Sequence, residues 1–351
     1  MHLFHDALVS FAERRVIYMK INLKITTQCP ADCLCCKERL NNFSTYYKNM
    51  DCTDTLIDQI LKLYELKGDK LNHLSITGGE PTLVAKLPIY VKKIVNSKVT
   101  VGIDTNGWNI DENWLMEMER SGLSYILLSV YSMKKDKFNY LRGSCDGKLY
   151  SCMRKAIELL KKYKENGGKI QIRFQCVLMK QNYEEMPELL TCAIESGFDT
   201  FSTSYYISNN PDENLLMSKN DIDNFIFNVV PKVNSILSKC NTNKIVKKEN
   251  LKKINSFFKF DGISLETVGK GVYRLPGTTC EDRNRIAIYP NGDVVPCLGF
   301  DYKMQQKYKI NIFNSYSSLN IINSNFDNFW NSNYDMCSRC SSGFQVWFTL
   351  K

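Results

Sequence analysis

The sequence predicts an α/β fold: a partial (β/α)6 barrel of parallel strands, followed by a small C-terminal unit of a β-hairpin plus helix. Three observations carry this. From residue 19 to about 208, short β-branched apolar runs alternate with longer stretches at helical spacing, the pattern of repeated βα units. The residues with chemical potential fall just after the strands, on the rim where parallel β/α folds build their sites. Near the C-terminus, two alternating runs flank Pro290-Asn291-Gly292-Asp293, a hairpin turn.

Candidate strands are Met19 to Thr26, Leu71 to Thr77, Val99 to Thr105, Tyr125 to Val130, Lys169 to Val177 and Thr200 to Ile207. Between the first two, Leu56, Ile57, Ile60, Leu61 and Tyr64 share one helix face. A helix runs from Lys148 to Tyr163, and another from Tyr183 to Ser196, stopped by Gly197. Asn209-Asn210-Pro211-Asp212 marks a break, after which Ser218 and Asp221 form a capping box and Pro231 bends or divides the helix they open. The expected divisions are an N-terminal segment (1–18), a barrel core (19–215), a helical connector (216–275) and a cysteine-bearing C-terminal domain (276–351).

With 351 residues and 44% hydrophobic content the chain fills a sizeable core. No apolar stretch reaches membrane-span length, and Asp6, Glu13, Arg14 and Arg15 interrupt the N-terminus, so neither an anchor nor a signal peptide is expected. Fourteen cysteines, with vicinal Cys35-Cys36 and a late Cys337-x-x-Cys340, suit metal ligation in a reducing compartment, the cytoplasm. The formal charge of +9 counts cysteines as neutral, and metal-bound thiolates would lower it, so it does not point to nucleic acid. Lys244, Lys247, Lys248, Lys252 and Lys253 read as a solvated helix face, with an acidic partner as the alternative.

The run Cys29-Pro30-Ala31-Asp32-Cys33-Leu34-Cys35-Cys36 follows the first strand, and Gly78-Gly79-Glu80-Pro81 follows the second. Cys29, Cys33 and Cys36 can hold three corners of an iron-sulfur cube and leave the fourth iron open to a second molecule. Cys35, adjacent to an in-register ligand, is read as a non-ligand. A zinc site using Cys35 as its fourth ligand is the alternative.

The two motifs together resemble the radical S-adenosylmethionine superfamily, and the similarity continues through Thr105-Asn106-Gly107, Ser129 and Leu141-Arg142-Gly143. The resemblance implies a 4Fe-4S cluster on Cys29, Cys33 and Cys36. It implies S-adenosylmethionine chelated to the open iron, and a 5'-deoxyadenosyl radical that removes a substrate hydrogen atom. It also implies a flavodoxin- or ferredoxin-type electron donor. Gly78 and Gly79 would let backbone approach the methionine moiety, and Glu80 would offer a carboxylate to its ammonium. Ser129 and Arg142 are candidates for the ribose and carboxylate ends, with Arg173 a weaker one. Two positions depart from the family pattern: Cys35 stands where an aromatic residue is usual, and Tyr131 where an acidic one is frequent.

Cys280 and Cys297 flank the C-terminal hairpin, and Cys337 and Cys340 follow it. This resembles the SPASM extension, and more closely its shorter relative, the twitch domain, implying one auxiliary 4Fe-4S cluster held by four thiolates; a zinc site is the alternative. Such a cluster suits substrate oxidation, by accepting an electron from the substrate radical. The leading expectation is oxidative modification of a peptide or natural-product intermediate. A dehydrogenase of aminocyclitols or sugars is the second reading, and a non-catalytic metal protein the reading of another class. Eighteen residues before the first strand are too few for an attached leader-peptide domain. Leu298, where sulfatase-maturing enzymes carry an acid, disfavours that activity, and Asp293 and Asp301 are the candidate bases.

Overall fold

The computed structural model describes residues 19–36, 49–67, 71–206, 213–240, 250, 285–295, 306, 309–313 and 345–350. Its first half alternates strand and helix: β1 (Met19–Thr26), α1 (Asp54–Lys67), β2 (Leu71–Gly78), α2 (Leu87–Val95), β3 (Thr100–Thr105), α3 (Glu112–Arg120) and β4 (Tyr125–Ser129). Then come α4 (Lys135–Arg142), α5 (Lys148–Glu165), β5 (Gln171–Leu178), α6 (Met186–Glu195) and β6 (Thr200–Tyr205). α7 (Lys219–Asn224), α8 (Val230–Lys239), β7 (Arg285–Ile288), β8 (Asp293–Val295), β9 (Ile310–Asn311) and β10 (Gln345–Thr349) follow.

All ten strands join one sheet in the order β10-β6-β5-β4-β3-β2-β1-β7-β8-β9. β1 to β6 lie side by side in chain order and are parallel, so the chain winds in one direction as a partial barrel. The expected hairpin is present as β7 and β8, with Ala287 opposite Val295. β7 also pairs in parallel with β1, Lys20 opposite Arg285, so the hairpin widens the barrel sheet itself. At the other edge β10 pairs antiparallel with β6, an addition not foreseen from the sequence.

One face of the sheet is sealed by helices. Ile21, Leu23 and Ile25 of β1 are fully buried in the same cluster as Leu56, Ile57 and Ile60 of α1, while Leu61 lies half-buried at its margin. Each such side chain contributes about 1.5–3 kcal/mol. The opposite, inward face alternates with these positions and is largely polar, carrying Asn22 and Lys24 on β1, Ser75 on β2 and Asp104 on β3. The interior of a closed parallel barrel is normally filled by branched apolar side chains. Here it is not, and the inward face forms a polar lumen.

Two local details refine the expectations. β5 begins at Gln171 and not Lys169, and the N–H of Ile170, just ahead of it, donates to Tyr163 Oη at 3.0 Å. The Ser218–Asp221 capping box forms as read. A π-helical turn, Phe225–Val229, precedes α8, whose first turn holds Pro231; a proline has no N–H to keep the α-helical ladder regular. No helix among the described residues is long and apolar enough to cross a membrane.

Candidate metal and cofactor site

The cysteine loop leaves β1 at Thr26 and is clamped from two sides. On one side the N–H of Gly79 donates to Thr26 O at 2.7 Å and that of Glu80 to Gln28 O at 2.7 Å. On the other, the N–H groups of Asp32 and Leu34 donate to the carbonyls of Arg142 and Leu141, both at 3.0 Å. Gly-Gly-Glu and Leu-Arg-Gly, far apart in sequence, are therefore the two jaws that hold one loop.

The need for glycine in the first jaw comes from the chain itself. A Cβ on Gly78 would lie 2.3 Å from Thr26 O, and one on Gly79 would lie 1.9 Å from Gln28 O. The space that the sequence reading reserved for a ligand is thus already filled, on that side, by backbone.

Cys29, Cys33 and Cys36 line one cavity of about 340 Å³ at the C-terminal ends of the strands, together with Gly78, Gly79, Glu80, Ser129 and Arg142. Cys35 does not line it; it is buried in an apolar cluster with Tyr131, Leu141 and Met179.

Glu80 is engaged more fully than expected. Its Oε1 accepts from Thr105 Oγ1 (2.6 Å), Thr82 Oγ1 (2.9 Å) and Thr82 N–H (3.1 Å), and its Oε2 accepts from Asn106 N–H (2.7 Å). Burial raises its pKa, while the four donors oppose that shift. The carboxylate ties the end of β2 to the end of β3, which a reading of it as a free partner for an ammonium did not foresee.

Arg142 is also built in. Its Nη1 donates to Cys33 Sγ at 3.3 Å, its Nη2 donates to Ser129 O, and its guanidinium lies 4.0 Å from the centre of the Tyr131 ring. Tyr131, where the family often has an acid, supplies a stacking face for this cation. Asn106 Nδ2 lies 3.8 Å from Cys29 Sγ.

Arg173 lies outside the cavity lining, stacked 3.6 Å above the Tyr125 ring in the lumen. Asp293, a candidate base, is buried on β8 with Lys309 Nζ 2.8 Å away and does not line the cavity. Asp301, Leu298, Cys280, Cys297, Cys337, Cys340 and the lysines from 244 to 253 lie outside the described residues. Lys24, Asp104 and Tyr289 are among the lining residues that escaped the sequence reading. For Lys24 and Asp104 the signal was present as polar residues at alternate positions of parallel strands, where both faces are usually apolar.

The residues fit a cluster. The donors are all thiols, disposed around a single cavity, with an amide and a guanidinium beside two of the sulfurs. Among the described residues no group of three or more His, Cys, Asp and Glu side chains is placed to hold a single metal ion.

Residues 23–193 match the Radical SAM superfamily. The chain carries a radical SAM domain. It is 24% identical over 302 residues to a GTP 3',8-cyclase of Clostridium perfringens, covering 85% of each chain. It is 23% identical over 343 residues to a tungsten-containing aldehyde ferredoxin oxidoreductase cofactor-modifying protein of Pyrococcus furiosus, covering 91% of this chain and 86% of that one. In fold it is similar to Streptococcus suis SuiB bound to the precursor peptide SuiA, with a TM-score of 0.64 at 18% identity over 96% of this chain and 73% of that one.

Proposed function

We propose that this radical SAM domain serves an enzyme that oxidatively modifies a peptide or natural-product intermediate. The observation that carries the reading is the gathering of Cys29, Cys33 and Cys36 around one cavity that continues into a polar lumen. A 4Fe-4S cluster there, with S-adenosylmethionine bound, supplies a 5'-deoxyadenosyl radical for hydrogen abstraction. The chain's part is to hold and shield. Arg142 and Asn106 direct N–H groups at the cysteine sulfurs, Gly78, Gly79 and Glu80 fix the loop, and Ser129 lies on the wall as a cofactor contact.

Residues 19–215 form the core of this reading, 216–275 a connector and 276–351 an auxiliary domain. There Cys280, Cys297, Cys337 and Cys340 would hold a second 4Fe-4S cluster, which would supply one-electron redox chemistry for a substrate oxidation. In support, β7 and β8 pair as a hairpin between the first two of these cysteines. A peptide substrate is supported by the likeness to SuiB, whose structure holds a precursor peptide. The GTP 3',8-cyclase relatives favour a small-molecule substrate as the second reading.

The test is anaerobic reconstitution followed by reduction with dithionite. Expected are about eight irons per chain, two cubes, and 5'-deoxyadenosine released from S-adenosylmethionine. Zinc with no deoxyadenosine would eliminate the proposal. Peptides encoded beside the gene then separate the substrate readings: a mass loss in one of them supports peptide modification, and inert peptides support a small molecule.

A further inference from the structure

The cavity wall that carries Arg142 is held from behind by residues that do not reach the cavity. Arg142 Nη2 donates to Ser129 O at the end of β4, and two residues further on the Tyr131 ring lies under the guanidinium, its centre 4.0 Å from Cζ. Both side chains are buried. Tyr131 lies beyond the last β4–β5 pair, Ser129 opposite Gln175, so the strand ladder does not fix it.

That task falls to Asn182, on the segment that leaves β5. It is fully buried. Its Nδ2 donates to Tyr131 O and Val177 O, both at 2.9 Å, and lies 3.6 Å from Cys176 Sγ, while its Oδ1 accepts from Met179 N–H at 2.7 Å. One side-chain amide thus staples the end of β5 to the segment after β4. Tyr131 and Met179, both held by it, belong to the apolar cluster in which Cys35 and Leu141 are buried. Asn182 itself is not part of the cavity lining.

Three residues on, Glu185 anchors the helix that bears Arg142. Its Oε2 accepts from Ser132 Oγ at 2.6 Å, and its Oε1 lies 2.6 Å from Nζ of Lys137, on the α4 helix that ends at Arg142. Removal of Asn182 therefore disturbs Tyr131 and leaves α4 docked.

We propose that Asn182 is a positioning residue for the metal centre: it fixes Tyr131, Tyr131 carries the Arg142 guanidinium, and Arg142 presents Nη1 to Cys33 Sγ at 3.3 Å. A cation with its N–H at a ligating sulfur draws electron density from it and makes the centre easier to reduce. Without the ring beneath it, the guanidinium loses the face that holds its plane against the sulfur. The proposal rests on the reading that Cys33 ligates a 4Fe-4S cluster.

The test is potentiometry of full-length, anaerobically reconstituted protein, followed by electron paramagnetic resonance on the signal that responds to S-adenosylmethionine. Expected in Asn182→Ala is retained iron and a midpoint potential more negative than wild type, shifted in the direction of Arg142→Met and by no more than that variant. Added to Arg142→Met, the alanine is expected to shift the potential no further, because both changes act through one contact. Asn250→Ala is the control. Asn250 is also buried and bridges backbone in the same way, its Nδ2 donating to Thr349 O at 2.7 Å and its Oδ1 accepting from Thr349 N–H at 3.1 Å. It does so where β10 meets the start of β6, at the end of the strands away from the cysteines, and its variant is expected to keep the wild-type potential.

A wild-type potential in Asn182→Ala, an equal shift in Asn250→Ala, or an undiminished shift on the Arg142→Met background overturns the proposal. Should Arg142→Met hold too little iron, the comparison of Asn182→Ala with Asn250→Ala decides. Should Asn182→Ala fail to fold or to hold iron, Tyr131→Leu, which removes the stacking face alone, takes its place with the same expectations. Zinc in place of iron would refute the cluster reading, whereas an iron-sulfur potential indifferent to Asn182 would refute only this proposal.

Discussion

Arg142 donates to Cys33 Sγ at 3.3 Å while its plane stacks 4.0 Å from the Tyr131 ring, so one buried guanidinium links the cysteine loop to the end of β4. An N–H beside a ligating sulfur orients it and stabilises its thiolate form. Arg142→Met is expected to weaken cluster retention about tenfold or more, measured as iron released to a chelator under anaerobic conditions. Arg142→Lys should rescue little, because an ammonium lacks the planar fork that reaches both Cys33 and Ser129. Full retention in both variants would show that Arg142 is only a packing element.

Gly79→Ala tests the jaw formed by the end of β2. Its Cβ would meet Gln28 O at 1.9 Å, backbone that cannot rotate away. The cysteine loop must shift, and reconstituted iron content is expected to fall while the fold, followed by far-ultraviolet circular dichroism, persists. Normal iron content in the variant would contradict the clamp.

Gly102→Ala tests the lumen floor. The added methyl group would displace the Tyr125 ring, and overpacking of this kind costs about 1–3 kcal/mol in denaturant unfolding. The His73–Tyr125 hydrogen bond is lost with it, so Gly102→Ala/Tyr125→Ala should recover part of the lost stability. No recovery would mean that the alanine strains something other than the ring.

Asp104 and His73 make opposing pH demands. Withdrawal from water raises the Asp104 pKa from 3.8 to about 6, against the pull of Lys24, Arg285 and Arg173, with Tyr125 also nearby. The native state then binds the proton more tightly than the unfolded chain, so this group's contribution to stability falls as pH rises from about 4 to about 6. His73, lowered from 6.5 to about 4, does the reverse: its contribution rises with pH over that window and is lost on acidification. Each is worth about 3 kcal/mol by linkage, so in the wild type they largely cancel. Asp104→Asn is expected to unmask the histidine, giving a midpoint of thermal unfolding that drops more steeply than wild type between pH 6.5 and 4. Parallel profiles for the two proteins would refute the arrangement.

The second set of cysteines has its own signature. Cys36→Ala should abolish deoxyadenosine formation, whereas Cys337→Ala should leave some of it and block product formation. Equal loss in both would make the C-terminal site structural for the whole chain.

Much of this was legible in the chain because it is written in local patterns. The β1 run from Met19 to Thr26 alternates apolar and polar residues, and Ser218 and Asp221 cap a helix from three residues apart. Cys29, Cys33 and Cys36 announce a shared ligand by spacing alone. What escaped depends on contacts between distant segments. The position of Tyr125 is decided by the missing side chain of Gly102 on the neighbouring strand, and the saturation of Glu80 by Thr105 and Asn106 on the next. β10 was hidden because five residues ending in Trp347-Phe348-Thr349 acquire strand form only by pairing with β6.

Electron paramagnetic resonance of the dithionite-reduced, reconstituted protein, recorded before and after addition of S-adenosylmethionine, addresses the open iron most directly. The expected result is a shifted 4Fe-4S signal in the wild type that is absent from Cys36→Ala. A wild-type spectrum unaltered by the nucleotide would mean that Cys29, Cys33 and Cys36 leave no coordination site for it, and the proposed radical chemistry would have no origin.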